Sequence, residues 1–220
     1  MVGYRIESGE APGEGLDRIF TEQMDKLRRD LSDRDVSVPE KVRRARVRCK
    51  RIRALLTLAQ DAMGRRAWKK QNRWWRDLAR SLSDVRDLSA RIEALDAVKA
   101  GMQAEVSESV VARMRAWLEL DRVSREAAWD VREALKRFAA RLHDAPAPKL
   151  DACEIWDGLT GRYARSYETA QAAMHRAAGS DEAELFHEWR KKMKATGLQA
   201  RLLRDRFAQL EADVEAGREL

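Results

Sequence analysis

Apolar residues recur every three or four positions along most of this chain, and charged residues fill the positions between them. This spacing places apolar side chains on one side of a helix, and no segment beyond a few residues alternates as a strand does. The interiors of these segments are rich in Ala, Leu, Arg, Glu and Lys, which favour helices. The pattern therefore predicts an all-α fold with helices near 13–32, 39–62, 66–82, 84–100, 105–143, 150–178 and 181–216.

Two predicted helices have recognisable start signals. Ser37 is the expected N-cap of the second helix, with Pro39 in its first turn and Glu40 reaching back to the cap. The sequence Gly-Ser-Asp at 179–181 is expected to start the last helix in the same way.

Three finer features follow from the same pattern. The helix at 105–143 is expected to break once near Asp121, and Tyr4–Glu7 to form a short extended piece. Pro146 and Pro148 are typical of a linker.

Two segments far apart in the chain resemble each other. Adding 144 to the residue numbers aligns VRRARVRCKRIRALL at 42–56 with FHEWRKKMKATGLQA at 186–200. The sequence therefore predicts two related helical halves, 1–145 with an inserted helical hairpin and 146–220, which together form one domain. A chance likeness between two basic amphipathic helices is the alternative.

Each of these segments has an apolar stripe when it is drawn as a helix with about 100° per residue. The first stripe consists of Val42, Ala45, Cys49, Ile52 and Leu56. The second consists of Trp189, Met193 and Ala200, with Thr196 as a weaker member. We expect both stripes to be buried, which makes Cys49 a small hydrophobic core residue.

Cations lie beside both stripes. In the first segment one face carries Arg43, Arg46, Lys50 and Arg53, and a third face carries Arg44, Arg48 and Arg51. In the second segment one face carries His187, Arg190, Lys191, Lys194 and Arg201.

Such one-sign faces oppose helix stability. Each like-charged pair one turn apart costs about 0.2–0.5 kcal/mol. Cations such as Arg43 and Arg46 in the opening turns also oppose the helix dipole, and we expect the same conflict in the second segment. A bound anion would remove it, and arginine and lysine both suit phosphate. We interpret the two faces as an anion site; a basic surface without a ligand is the alternative.

The composition indicates the kind of partner and the cellular compartment of the protein. The net charge of +7 favours an anionic partner. No apolar run reaches the length of about 18 residues that a membrane span needs, and the N-terminal lead has no apolar segment typical of a signal peptide. Cys49 and Cys153 are the only cysteines, which favours a reducing compartment. We therefore expect a cytoplasmic protein without a membrane partner.

Other candidate chemistry is weaker. His143 and His175 have no zinc-ligand spacing to His187, so no metal or cofactor is expected. Phosphate-binding glycine loops and hydrolase motifs are absent from the sequence, so we expect no enzymatic activity. The seven tryptophans are interpreted mostly as core residues, and base stacking is the alternative. Arg73, Arg76 and Arg80 form a further basic stripe, of which Arg80 is the candidate site residue.

The two basic segments resemble the two signatures of the CHAD family, the conserved-histidine α-helical domain. LSDVRDLS at 82–89 resembles the element that follows the first signature, and IESGEAPGEGLDRIFTEQMDKL resembles the family's opening. The resemblance spans nearly the whole chain. It implies two pseudo-repeated antiparallel helical bundles around a basic groove or pore. It also implies binding of inorganic polyphosphate, often at cytoplasmic polyphosphate granules.

The resemblance also implies binding residues, carried over by position. They are Arg46, Lys50, Arg53, Arg86, His187, Arg190, Lys191 and Lys194. Arg43 stands where the first signature has its histidine, and Gly197 stands where the first half has Arg53. Two other functions stay open, a nucleic-acid-binding protein and an accessory subunit of a phosphohydrolase. The counterpart of Arg86 would follow Leu220, so one wall of the groove is expected to be incomplete or to be supplied by a second chain in an oligomer.

Overall fold

The computed structural model describes residues 3–82, 92, 94–99, 107–128, 130–150, 153, 156–209 and 211, and most of these residues are helical. The helices are α1 (Pro12–Ser32), α2 (Val38–Leu58), α3 (Gln60–Met63), α4 (Arg65–Arg80), α5 (Glu108–Ala128), α6 (Val131–His143), α7 (Trp156–Ala178) and α8 (Ala183–Leu202). Residues 94–99 and 204–209 are also helical. No strand occurs among the described residues, and the all-α prediction is confirmed.

Several helix boundaries differ from the prediction. The helix expected over 39–62 is interrupted at Ala59, which separates α2 from α3. The break expected near Asp121 lies later, because Asp130 caps α6 and its side chain accepts a hydrogen bond from the Glu133 amide. The helix expected over 84–100 lies largely outside the described residues.

The expected start signals are only partly correct. α2 begins at Val38, directly after Ser37, but the Glu40 carboxylate reaches forward along the helix to two arginines. The cap of α8 is Glu182, so the start at 179–181 was predicted slightly too early. Residues 4 and 5 form a bend, so the extended piece is also wrong.

The described residues divide into two compact units. The first unit contains Met1–Lys26, Arg48–Arg76 and Pro146–Leu220. Its buried apolar residues include Leu16, Phe20, Cys49, Ile52, Leu56 and Trp75. The Phe20 and Trp75 rings meet edge to face with centroids 6.2 Å apart, so α1 packs directly against α4.

The second unit contains Leu27–Val47 and Asp77–Ala145. Its buried apolar residues include Leu27, Val42, Ala45, Leu78, Phe138 and Leu142. Thus α6 contributes its inner face to this core, while most of α5 is exposed.

In the first unit α8 packs against α7, with a face other than the predicted one. Thr196, Gln199 and Leu202 are buried, whereas Met193 is 40% exposed. The buried residues of α7 are Leu159 and three small ones, Ala170, Ala173 and Ala177. Small side chains allow close approach, and the Thr196 hydroxyl lies 3.4 Å from the Ser166 carbonyl. The predicted stripe of Trp189, Met193 and Ala200 is therefore displaced around the helix, and Thr196 is a central member.

Replacing either of two glycines with alanine should change the stability of the protein, in opposite directions at the two positions. A Cβ at Gly15 would lie 2.6 Å from Ile6 Cγ2 and 2.8 Å from Glu10 Oε2, whereas a Cβ at Gly197 would meet nothing within 4 Å. We expect Gly15→Ala to lower the free energy of unfolding by about 1–3 kcal/mol, because Ile6 is buried and cannot move aside. We expect Gly197→Ala to raise it by about 0.5–1 kcal/mol, because alanine favours a helix. Denaturant titration compares the two, and equal stability would mean that the N-terminal segment does not pack on α1.

Candidate functional site

The apolar stripe predicted for α2 is buried as expected. All five of its residues, Val42, Ala45, Cys49, Ile52 and Leu56, are at most 1% exposed. This burial fixes the rotation of α2, and therefore directs Arg43 and Lys50 to the exposed side of the helix. Arg46 and Arg53 are half-buried beside the stripe.

The first two arginines of α2 share an acidic partner. The Glu40 carboxylate accepts hydrogen bonds from Arg43 Nε at 2.6 Å and from Arg44 Nε at 2.8 Å. Hydrogen bonds from Arg43 and then Arg44 lower the pKa of Glu40 to about 2, so it is ionised at neutral pH. Arg44 also reaches Asp30 of α1. The conflict expected between these cations and the helix dipole is therefore partly offset without a ligand.

Two further arginines of α2 contact α4. In the second unit, Arg46 Nη1 donates to the Ala79 carbonyl at 3.3 Å. In the first unit, Arg53 Nε donates to Asn72 Oδ1 at 2.7 Å. These bonds hold each guanidinium in one orientation, which is a requirement for a bidentate anion contact. Sequence reasoning missed Asn72, because a bond between residues far apart in the chain leaves no local pattern.

The cations predicted on α8 are arranged differently. His187, Arg190, Lys191, Lys194 and Arg201 are all exposed. They lie within about 100° of the helix circumference, and their mean direction is about 130° from that of the buried residues of α8. No residue in the described part of the chain forms a salt bridge with any of them, while Glu188 nearby pairs with Lys192 at 2.8 Å.

The dipole conflict expected at the start of this second segment is absent. α8 begins at Ala183 and has Glu184 in its first turn, which suits the positive end of the helix dipole. Its cations begin at His187 and follow in later turns. The case for an anion at α8 therefore depends on like-charge repulsion along the face and on exposure.

The remaining candidates lie on or beyond α4. Arg80 is exposed in the last turn of α4. Arg73 is exposed and Arg76 is half-buried. Arg86, and with it most of the LSDVRDLS element, lies outside the described residues.

The tryptophans are less uniformly buried than expected. Trp75 is completely buried, whereas Trp117 on α5 is 62% exposed. Trp68, Trp74, Trp156 and Trp189 are intermediate in exposure, and Trp129 lies outside the described residues. The core interpretation is therefore wrong for Trp117, because the sequence pattern could not show that α5 leaves this side uncovered.

Three further observations concern the kind of site. Within the described part of the chain, no group of three or more His, Cys, Asp or Glu side chains is arranged to hold a metal ion. Cys49 and Cys153 are both buried, and neither forms a disulfide. Among the described helices, none combines the length and the apolar character that crossing a membrane requires.

Comparison with known proteins gives one family. No curated protein and no solved structure matches the chain. The family model of the CHAD domain matches residues 18–217, which include α2, α8 and every candidate site residue. Because the match covers nearly the whole chain, this protein belongs to the CHAD domain family.

Proposed function

We propose that this protein binds inorganic polyphosphate, without catalysis, through the basic faces of α2 and α8. One observation carries the proposal. Four cations of α8 share one exposed face with His187, and no described residue forms a salt bridge with these five side chains. Repulsion along this face is a stability cost that a polyanion would reverse. Family membership supports the same ligand, because CHAD domains are generally linked to polyphosphate.

The first unit contains a second basic helix face, which lies on α2. Lys50 and Arg53 of α2 belong to the same unit as α8. Lys50 is exposed, and Arg53 is oriented by Asn72. A flexible lysine together with an oriented arginine suits a chain of phosphates whose spacing is regular but whose register varies. Arg43, Arg46, Arg80 and Arg86 are part of the proposed ligand contacts. A cytoplasmic location, with association to polyphosphate granules, follows from this ligand.

A competition titration tests the proposal. Long-chain polyphosphate and single-stranded DNA of equal total charge compete for the protein at two salt concentrations. Polyphosphate should bind tightly, and its affinity should fall with salt because bound cations are released. DNA should fail to displace it. Equal displacement would mean a general basic surface and would reject the proposal.

The exposed Trp117 favours nucleic acid as the second candidate, since an exposed indole can stack on a base. However, α5 has four arginines and four acidic residues, so its surroundings do not attract a polyanion. Trp117→Ala should leave polyphosphate affinity unchanged. A loss of single-strand affinity of tenfold or more in this variant would support the nucleic-acid function instead.

A catalytic role in phosphate hydrolysis makes a different prediction. It requires a divalent metal and release of orthophosphate. Incubation of the full chain with polyphosphate and Mg²⁺ or Mn²⁺ should release no orthophosphate. Release that depends on the protein would overturn the non-catalytic part of the proposal.

A further inference from the structure

The helices α7 and α8 form an antiparallel hairpin inside the first unit. The connection between them spans only residues 179–182. Thr196 of α8 lies beside Ser166 of α7, and Glu188 pairs with Arg176 at 4.0 Å. Residues later in α8 therefore lie beside residues earlier in α7, which means that the two helices run in opposite directions.

One side of this hairpin is apolar and exposed. Four of its side chains are between 36% and 43% exposed, namely Tyr167, Met174, Phe186 and Met193. The ring of Phe186 also contacts that of the half-buried Trp189, with centroids 6.4 Å apart. On each helix these residues are rotated in the same sense away from the buried residues. Because the helices are antiparallel, this rotation places all five residues on one side, which we call the hairpin face.

The residues at the matching positions of the first half are buried. The predicted repeat pairs the three α8 members of the hairpin face with α2 residues that are at most 1% exposed, namely Val42, Ala45 and Cys49. An offset of 143 aligns α1 with α7 and pairs Leu16 with Leu159, both of which are buried. The same offset pairs Tyr167 with the buried Met24. An apolar side that is covered in the first half is therefore exposed in the second.

In the first unit, α4 packs on that side of α1 and α2. Trp75 of α4 is completely buried and contacts Phe20 of α1, while Asn72 of α4 accepts a hydrogen bond from Arg53 of α2. One helix with a tryptophan anchor thus contacts both partners. The position that matches Arg53 is Gly197, where an added Cβ would meet nothing within 4 Å. The hairpin face therefore has the character of a surface that accepts a helix.

The charges beside the hairpin face indicate the chemistry of an occupant. Arg190 and Lys194 follow this face around the circumference of α8, and both are exposed. On α7 the neighbouring position holds the uncharged Gln171. Acidic side chains on the occupant would complement the α8 border. A second copy of this chain, joined symmetrically by the same face, would bring like cations to one interface, which is unfavourable.

We propose that the hairpin face binds an amphipathic helix of a partner protein, which carries a large aromatic anchor and acidic residues beside it. The apolar part of this inference does not depend on the proposed function. The acidic part rests on Arg190 and Lys194, which the proposed function assigns to polyphosphate. The two ligands would therefore share these cations but not the apolar residues, and this difference allows separate tests.

A synthetic peptide tests whether the hairpin face accepts an acidic helix. The peptide has the α4 sequence, residues 65–80, with glutamate in place of every arginine and lysine. The control peptide has the same charge, with alanine at the positions of Trp68 and Trp75. Each is labelled with fluorescein and titrated with the full chain, and binding is followed by anisotropy. The control peptide should bind about tenfold or more weakly, because aromatic anchors supply much of the affinity of such interfaces.

Two variants of the protein locate the binding surface. Phe186→Gln/Met193→Gln should bind the acidic peptide about tenfold or more weakly than the unmodified chain. Met114→Gln/Leu120→Gln is the matched control, since it removes two exposed apolar residues of α5, and it should bind the peptide normally. All four positions are exposed, so circular dichroism should show unchanged helicity in both variants. Unchanged peptide affinity in the Phe186 and Met193 variant, or equal binding of the two peptides, would overturn this inference.

Other occupants give different outcomes with the same variants. Sedimentation velocity measures self-association of the full chain, and flotation measures its binding to vesicles of phosphatidylcholine and phosphatidylserine. The unmodified chain should be monomeric and should not float. Self-association that Phe186→Gln/Met193→Gln abolishes would assign the hairpin face to a second copy. Vesicle binding that the same variant abolishes would assign it to an anionic membrane. Either result would overturn the proposal of a partner helix.

The outcomes also separate this inference from the proposed function. Phe186→Gln/Met193→Gln should bind long-chain polyphosphate as the unmodified chain does. Peptide binding that depends on Phe186 and Met193, in a chain that fails to bind polyphosphate, would reject the proposed function and support the partner helix. Polyphosphate binding in a chain that does not bind the acidic peptide would do the opposite.

Discussion

Reversing two lysines to glutamate, Lys50→Glu/Lys194→Glu, should reduce the affinity for long-chain polyphosphate by about one hundredfold. Each reversal replaces an attraction by a repulsion at a contact distance from phosphate. Each reversal changes the local charge by two units, so we expect each to lower the affinity by about tenfold even after screening by salt. The two positions lie on different helices, so their effects should be roughly additive. Fluorescence or calorimetric titration at fixed salt measures the change.

The fold should tolerate this double variant. Lys50 and Lys194 are both exposed, and glutamate has nearly the same helix propensity as lysine. Circular dichroism should therefore show unchanged helicity. The control is Lys69→Glu/Lys149→Glu, which changes the net charge equally at two exposed lysines outside the α2 and α8 faces. The control should lose affinity by less than about threefold. If both double variants lose affinity equally, the net charge of the chain would explain binding and the two faces would not.

The sequence predicted α2 well because one strong signal specified it. Its five apolar stripe residues recur at helical spacing, and all five are buried. The rotation of the helix, and hence the exposure of Lys50, follows directly from that stripe. Local patterns are reliable where a large apolar face must be buried, since no other rotation of the helix can bury it.

The sequence predicted α8 less well because its signal was ambiguous. Met193 and Trp189 are more hydrophobic than Thr196 and Gln199, yet the latter two are buried and Met193 is exposed. The small alanines of α7 select a neighbouring face that a helical wheel of α8 alone cannot identify. The cations were nevertheless placed correctly on the exposed side, because the basic face is broad enough to remain exposed after the shift.

Contacts between distant residues were the main part of the site that sequence patterns could not predict. The Glu40 pairs with Arg43 and Arg44 lie within one helix turn and leave a visible spacing. The hydrogen bond from Arg53 to Asn72 joins α2 to α4, and the hydrogen bond from the Tyr4 hydroxyl to the Arg51 carbonyl joins the N-terminal segment to α2. They depend on how helices and the N-terminal segment pack together. The sequence alone was therefore enough to show that the cations cluster. The structure was needed to show which of them contact other elements.

Replacing Ile52 with aspartate should unfold the first unit. Ile52 is completely buried on α2. Aspartate there loses the transfer free energy of the isoleucine side chain, leaves a cavity and places a carboxylate in an apolar environment. The combined cost exceeds about 4 kcal/mol, which is a large part of the total stability of about 5–15 kcal/mol that proteins of this kind have. We expect the cooperative thermal transition to be lost or to move down by more than about 10 °C.

Two control variants separate burial from charge and from helix propensity. Ile52→Val removes one methylene group and should cost only about 0.5–1.5 kcal/mol. Lys50→Asp introduces the same aspartate two residues earlier, at an exposed position of α2, and should change stability by less than about 1 kcal/mol. Differential scanning calorimetry and near-ultraviolet circular dichroism compare all three variants. If Ile52→Asp melts at the same temperature as Lys50→Asp, the α2 stripe would not be part of the core. The rotation that directs Lys50 toward the proposed polyphosphate would then be wrong as well, so this stability measurement also tests the binding face.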